Sequence, residues 1–315
     1  MMNHRTTLAA VALLATGTFG APNGLEAQGP DGRWPLQPSS AVNRVVAPFM
    51  EGWYANEDGT YTVSFGYLNV NENPVEIPLG EDNFIEPAQL DGLQPTYFER
   101  GHPRGVFAVT LPASMRDVDV WWTLRNPNGE VTRVPGRTSA SAYQLDWTPR
   151  PHGSVPPLVS FGGQAGEGRG PEGIMATRVL TTSVGAPVVL SVTVRDPSVR
   201  DTADPRFRDP IPVRTTWVKH QGPVGGAVEY TRHESTPEPE ANGGRRGGFG
   251  GRGGGARPES VSLAEGMGTS QVYATFSEPG EYIMRVLVDI FGVTDSAMMD
   301  QCCWSNGYVR VNVTR

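Results

Sequence analysis

The sequence predicts an all-β protein built as two antiparallel β-sandwiches, and three observations carry that prediction. In Ala274-Thr275-Phe276-Ser277-Glu278-Pro279-Gly280-Glu281-Tyr282, a Pro-Gly reversal sits between two apolar runs. Tyr61, Val63, Phe65 and Tyr67 alternate with Thr62, Ser64 and Gly66, the period of two of a half-buried strand. The 315 residues also hold 39 glycines and 28 prolines, which favours short strands joined by many turns over helices. No amphipathic stretch runs beyond a few helical turns, and the length suits about two domains of roughly 150 residues.

The N-terminus reads as an export signal spanning residues 1–27. His4 and Arg5 give a short polar, basic start, and residues 8–14 form an apolar core too short to span a bilayer. Ala27 is a small residue at the expected cleavage point before Gln28. No later apolar run is long enough for a membrane span, so the mature protein is expected to be soluble, in the periplasm or outside the cell. Residues 28–43 are rich in Gly, Pro and Ser and read as an extended lead-in.

The first sandwich is expected over residues 44–150. Its strands fall near 44–49, 61–67, 75–77, 106–111, 118–124 and 131–134, and Asn126-Pro127-Asn128-Gly129 makes a hairpin turn between the last two. A Gly/Pro-rich linker follows at 151–175. The second sandwich occupies 176–315, with strands near 176–182, 188–195, 213–219, 227–230, 271–276, 282–289 and 308–313. An insert at 234–258, dominated by Gly and Arg, holds too little apolar area to offset its ordering entropy and is expected to be disordered.

The formal net charge of −7 disfavours polyanion binding, and with export it argues against nucleic acid despite the Gly/Arg insert. Lys219 is the only lysine in the chain. The two cysteines, Cys302 and Cys303, are adjacent, and three readings stay open for them. They are buried apolar thiols in a strand, a vicinal disulfide stiffening a turn, or a metal or redox site. The last lacks a CxxC or a His cluster nearby.

One stretch carries a family likeness. Thr216-Trp217-Val218-Lys219-His220-Gln221-Gly222-Pro223, then Ala227 to Tyr230, then Ala274 to Val288, resembles polycystic-kidney-disease-type and related bacterial immunoglobulin-like domains. The resemblance covers roughly residues 177–315 and is interrupted by the Gly/Arg insert and by Cys302-Cys303-Trp304. It implies an immunoglobulin-like β-sandwich with a late hairpin at Glu278-Pro279-Gly280, and roles in adhesion, spacing or ligand binding without catalysis. It transfers no functional residue. By its size Trp217 is expected to fill the space between two sheets, and the Tyr282 hydroxyl to tie a corner.

A search for reactive chemistry finds little. No G-x-S-x-G elbow is present, and His233-Glu234 lacks the second His of a zinc-protease motif. His102, His152, His220 and His233 sit in turn-like contexts and are expected in exposed loops. No catalytic, cofactor or metal residue is assigned. Aromatic residues of the first sandwich give the best binding signal: Trp53, Tyr97, Trp121, Trp122 and Trp147 are candidate ligand or interface residues. Adjacent strand residues point to opposite faces, so one of Trp121 and Trp122 should face outward. The sequence therefore favours an exported, non-catalytic binding or structural module whose partner is an envelope protein or a glycan. A carbohydrate-binding accessory protein and a hydrolase with an inter-domain site are the alternatives.

Overall fold

Nineteen strands, and no α-helix, order the described residues, which are 43–236, 257–296 and 301–315 of the computed structural model. Residues 1–42, read from sequence as an export signal and lead-in, and residues 237–256 of the insert lie outside them. In chain order the first nine strands are β1 (Val46–Ala55), β2 (Tyr61–Asn69), β3 (Val75–Glu76), β4 (Asn83–Glu86), β5 (Tyr97–Phe98), β6 (Phe107–Leu111), β7 (Val120–Arg125), β8 (Val131–Gly136) and β9 (Gln144–Leu145). The remainder are β10 (Leu158–Ser160), β11 (Ile174–Met175), β12 (Leu180–Ser183), β13 (Val188–Arg195), β14 (Val213–Gln221), β15 (Val228–Arg232), β16 (Ser260–Leu263), β17 (Met267–Phe276), β18 (Gly280–Asp289) and β19 (Trp304–Thr314).

The first sandwich packs a four-stranded sheet, β6-β2-β1-β9, on a three-stranded sheet, β4-β7-β8. Val63, Phe65 and Tyr67 of β2 point into its core, where the Trp122 indole meets the Phe107 ring edge-on at 4.9 Å. The Trp122 Nε1–H donates to Asn83 Oδ1 at 3.0 Å, so the one polar atom of this buried ring is satisfied. β7 and β8 form the expected hairpin, in which Gly129 takes a φ of 86° that a β-carbon would strain. A two-stranded arm, β3-β5, belongs to this half, with Phe98 buried in its core.

The second sandwich packs β10-β13-β17-β15 on β11-β19-β18-β14-β16, with β12 also pairing with β19. Trp217 of β14 lies at the centre of its core, fully buried among Val192, Val272, Met284 and Val309. Pairing is antiparallel except where β9 joins β1 and where β11 and β12 join β19. Both halves are thus β-sandwiches. Residues 151–175, read from sequence as a linker, contribute β10 and β11 to the second sandwich.

Two expectations need correction. The Pro-Gly turn at 279–280 does not close a hairpin, because β17 and β18 belong to different sheets. The turn is an arch that carries the chain across the core. Phe276 and Tyr282 both face inward with rings 4.6 Å apart, and the Tyr282 hydroxyl donates to the Glu278 carbonyl at 2.9 Å. That bond ties the corner between sheets, as its tyrosine predicts. Nor is β2 half-buried: Thr62 and Ser64, on the face opposite Val63 and Phe65, are buried as well. The second sandwich covers part of that face.

Candidate functional site: the seam between the sandwiches

Residues 42–315 cluster as one compact unit, and a seam of buried polar groups runs inside it. Alternation on β18 and β19 sends Met284, Val286, Val309 and Val311 into the second core. It sends Arg285, Trp304, Asn306 and Tyr308 to the outer face. That outer face meets the first sandwich.

Asn306 is fully buried there. Its Nδ2 donates to the carbonyls of Gly105 and Pro171, both at 2.9 Å, and its Oδ1 accepts from Arg285 Nη1 at 3.1 Å. The Tyr308 hydroxyl donates to the Val106 carbonyl at 3.2 Å. Burial and the loss of hydration push the Tyr308 phenol well above its ordinary range, although the Arg285 charge opposes this. Gly105 has a φ of 52°, and a β-carbon there would collide with the Trp304 ring, so only glycine permits this close approach.

The end of β14 makes the second half of the seam. His220, expected in an exposed loop, is instead a buried strand residue. Its Nε2–H donates to the Leu93 carbonyl at 2.6 Å, and its own carbonyl accepts from the Thr96 amide at 2.9 Å. Desolvation, with the nearby Arg285 charge, holds the imidazole pKa down to about 3, so the ring is neutral. Gln221 donates to the carbonyls of Gly92 and Gln94.

Lys219, the only lysine, is buried too. Its ammonium reaches Glu76 Oε1 of the β3-β5 arm at 2.7 Å and the carbonyls of Pro223 and Gly226. It also lies 4.9 Å from the centre of the Tyr97 ring. A buried ammonium is tolerated because all three of its donors are used and a carboxylate balances the charge.

The aromatic residues singled out from sequence divide among three settings. Trp53 and Trp122 are core residues and present no ring face to a ligand, which corrects their assignment as binding candidates. The Trp53 Nε1–H is spent on the Ala140 carbonyl at 2.9 Å. Tyr97 and Trp147 belong to contacts between distant segments. Trp147 stacks on Tyr54 at 4.3 Å and takes the Arg169 guanidinium over its ring at 4.5 Å. Trp121 is the member of its pair that faces outward, on the outer face of β4-β7-β8. The guanidinium of Arg133 lies 4.1 Å over its ring and that of Arg137 5.7 Å away, each paired with a carboxylate, Glu86 and Asp119. Its ring is half-buried and carries the Arg133 guanidinium on one face.

Cys302 and Cys303 are joined as a vicinal disulfide at the head of β19, with Cys303 buried against the second core. Among the described residues no cluster of His, Cys, Asp or Glu has the arrangement of a metal centre. Also among them, no helix is long and apolar enough to cross a membrane.

No protein-family model matches the chain, and no curated protein matches it. Among solved structures it is similar to the D00-D0 domain of intimin, at 12% identity over 85% of this chain and 99% of that one, with a TM-score of 0.23. It is also similar to titin A168169, at 11% identity over 85% and 100% with a TM-score of 0.21. The S-layer protein SbsC, domains 4 and 5, gives 11% identity over 86% and 98% with a TM-score of 0.20. Likenesses this weak carry no argument, and the all-β class rests on the strands themselves.

Proposed function

We propose that this chain is an exported, non-catalytic structural or binding module of the bacterial envelope, working in the periplasm or outside the cell after loss of residues 1–27. One observation supports this reading above the others: the polar groups that enzymes use for chemistry are spent here on rigidity. The one lysine, a neutral buried histidine and Asn306 all hold one sandwich against the other. A module that bears load or presents a surface needs a fixed angle between its layers, and a desolvated polar seam fixes orientation more sharply than greasy contact does. Its partner on this reading is an envelope protein or a glycan.

The experiment is to express the full chain in a Gram-negative host, fractionate the cells and measure the intact mass. The reading expects a periplasmic or extracellular product that begins at Gln28. A cytosolic product that keeps residues 1–27 contradicts it.

A further inference from the structure

The outer face of β14-β18-β19 is only partly covered by the first sandwich. Beyond the seam the same face opens into a groove of about 360 Å³, within the range of small-ligand sites, which favour such junctions. Its floor is Ile283, and its apolar walls are Leu79 from the first half and Val179 from the segment before β12. Both wall residues are exposed large hydrophobic side chains.

Two charges of opposite sign flank that floor. Ile283 pairs across the strands with Arg310, and Glu281 pairs with Asn312, so Glu281 and Arg310 are diagonal neighbours on one sheet face. Diagonal partners stand ~7–8 Å apart, close enough for long side chains to meet. Yet among the described residues neither Glu281 nor Arg310 makes an ion pair or a side-chain hydrogen bond. At the other end of this face, Arg214 and Asp289 do join, through two hydrogen bonds of 3.0 and 3.1 Å. The groove thus holds an anion and a cation apart over an apolar floor.

We propose that this groove binds a short apolar peptide as its zwitterion. The terminal carboxylate meets the Arg310 guanidinium, the terminal ammonium meets Glu281, and an apolar side chain rests on Leu79, Val179 and Ile283. Two extended residues span about 6.6 Å, close to the ~7–8 Å between diagonal strand positions, a gap that the long Glu281 and Arg310 side chains can close. A single amino acid holds its charges too close together. A dianion is repelled by Glu281, and a dication by Arg310. This inference does not rest on export, because the groove belongs to the fold wherever the chain resides.

The test is calorimetric titration of the full chain with the dipeptide Leu-Leu, its N-acetyl form, its C-terminal amide and free leucine. Leu-Leu is expected to bind with a Kd of about 1 mM or tighter, with each cap weakening binding about tenfold or more. Arg310→Gln should weaken Leu-Leu to the same degree but leave the amide unchanged, which places the carboxylate on Arg310. Glu281→Gln should do the same for the N-acetyl form. Circular dichroism checks that both surface variants are folded. No heat from Leu-Leu at several times that concentration overturns the proposal. So does equal binding of the capped and uncapped forms, or indifference to both variants.

Discussion

The two ends of one sheet face set the terms for this molecule. At the covered end of β18 and β19, Arg285, Asn306 and Tyr308 lie against the first sandwich, with donors spent on Asn306 Oδ1 and on the Gly105, Pro171 and Val106 carbonyls. A few residues along the same strands, Glu281, Arg310 and Asn312 line an open groove and hold no such partners. The backbone is the same in both places, with the same alternation and the same pairing. What differs is whether another layer lies on top. Polar side chains on a strand become structural when their acceptors are fixed backbone carbonyls in a dry contact, and stay free for a ligand when they face water.

The sharpest way to break that contrast is to shorten the two asparagines. Asn306→Ala removes three buried hydrogen bonds and leaves the Arg285 charge without its acceptor, so it should cost about 3–5 kcal/mol in urea denaturation. Asn312→Ala, two turns of the pleat beyond Tyr308, should change stability by no more than about 0.5 kcal/mol. Equal costs would mean that the cover contributes nothing.

Lys219→Met comes next. It leaves Glu76, which is partly exposed, without its cation, at an expected cost of about 2–3 kcal/mol, below the figure for a fully buried pair. Adding Glu76→Gln should recover much of the loss, because the stranded charge and not the missing bond carries most of the cost. A double variant no better than the single one would contradict this.

A smaller effect follows pH. The folded state withholds from His220 the proton that the unfolded chain accepts near the ordinary pKa of 6.5. Between 6.5 and about 3 the unfolded state therefore binds more protons, and stability falls as pH drops through that window. One such group contributes a slope of at most about 1.4 kcal/mol per pH unit. Burial raises the Glu51 and Asp289 carboxyls, and those groups act in the opposite sense, losing stability as pH rises. His220→Gln keeps a donor for the Leu93 carbonyl and removes the titration, so the slope below pH 6.5 should flatten. An unchanged slope assigns it elsewhere.

The smallest expected effect is reduction of Cys302–Cys303. The bridge joins neighbours in sequence and closes almost no loop, so its loss should cost only about 1 kcal/mol. A thermal melt with and without dithiothreitol measures it, and a collapse of the melting temperature would show that the disulfide holds more than its own turn.

Much of the architecture was legible because it is local. The alternation over Tyr61–Tyr67, the Asn128-Gly129 turn and the parity of Trp121 and Trp122 each depend on a handful of neighbouring residues. The tyrosine corner was legible for the same reason, since the Tyr282 hydroxyl and the Glu278 carbonyl are four residues apart. The seam was not legible. Asn306 meets Gly105 across 201 residues, and His220 meets Leu93 across 127. Periodicity says which way a side chain points, not what waits there. His220 has a turn-like context in the sequence, just past the strand expected at 213–219. Yet it continues the alternation of β14, with Trp217 inward, Val218 outward and Lys219 inward again, and that signal could have placed it. The polar face of β2 misled in the same way: Thr62, Ser64 and Gly66 look solvated but are small residues that admit a neighbouring layer.

The two sandwiches are one body because a buried polar seam joins them. Hydrogen exchange of the full chain, read by mass spectrometry with peptides covering residues 93–97 and 304–308, tests it most directly. The Thr96 amide donates across the seam to the His220 carbonyl, while the Asn306 amide, bonded to the Gly170 carbonyl, reports on the strand of the second sandwich beneath it. These amides are expected to exchange as slowly as those of β14 and β18 in the second core. Exchange of the 93–97 amides at the rate of exposed turns, while both cores stay protected, would contradict it.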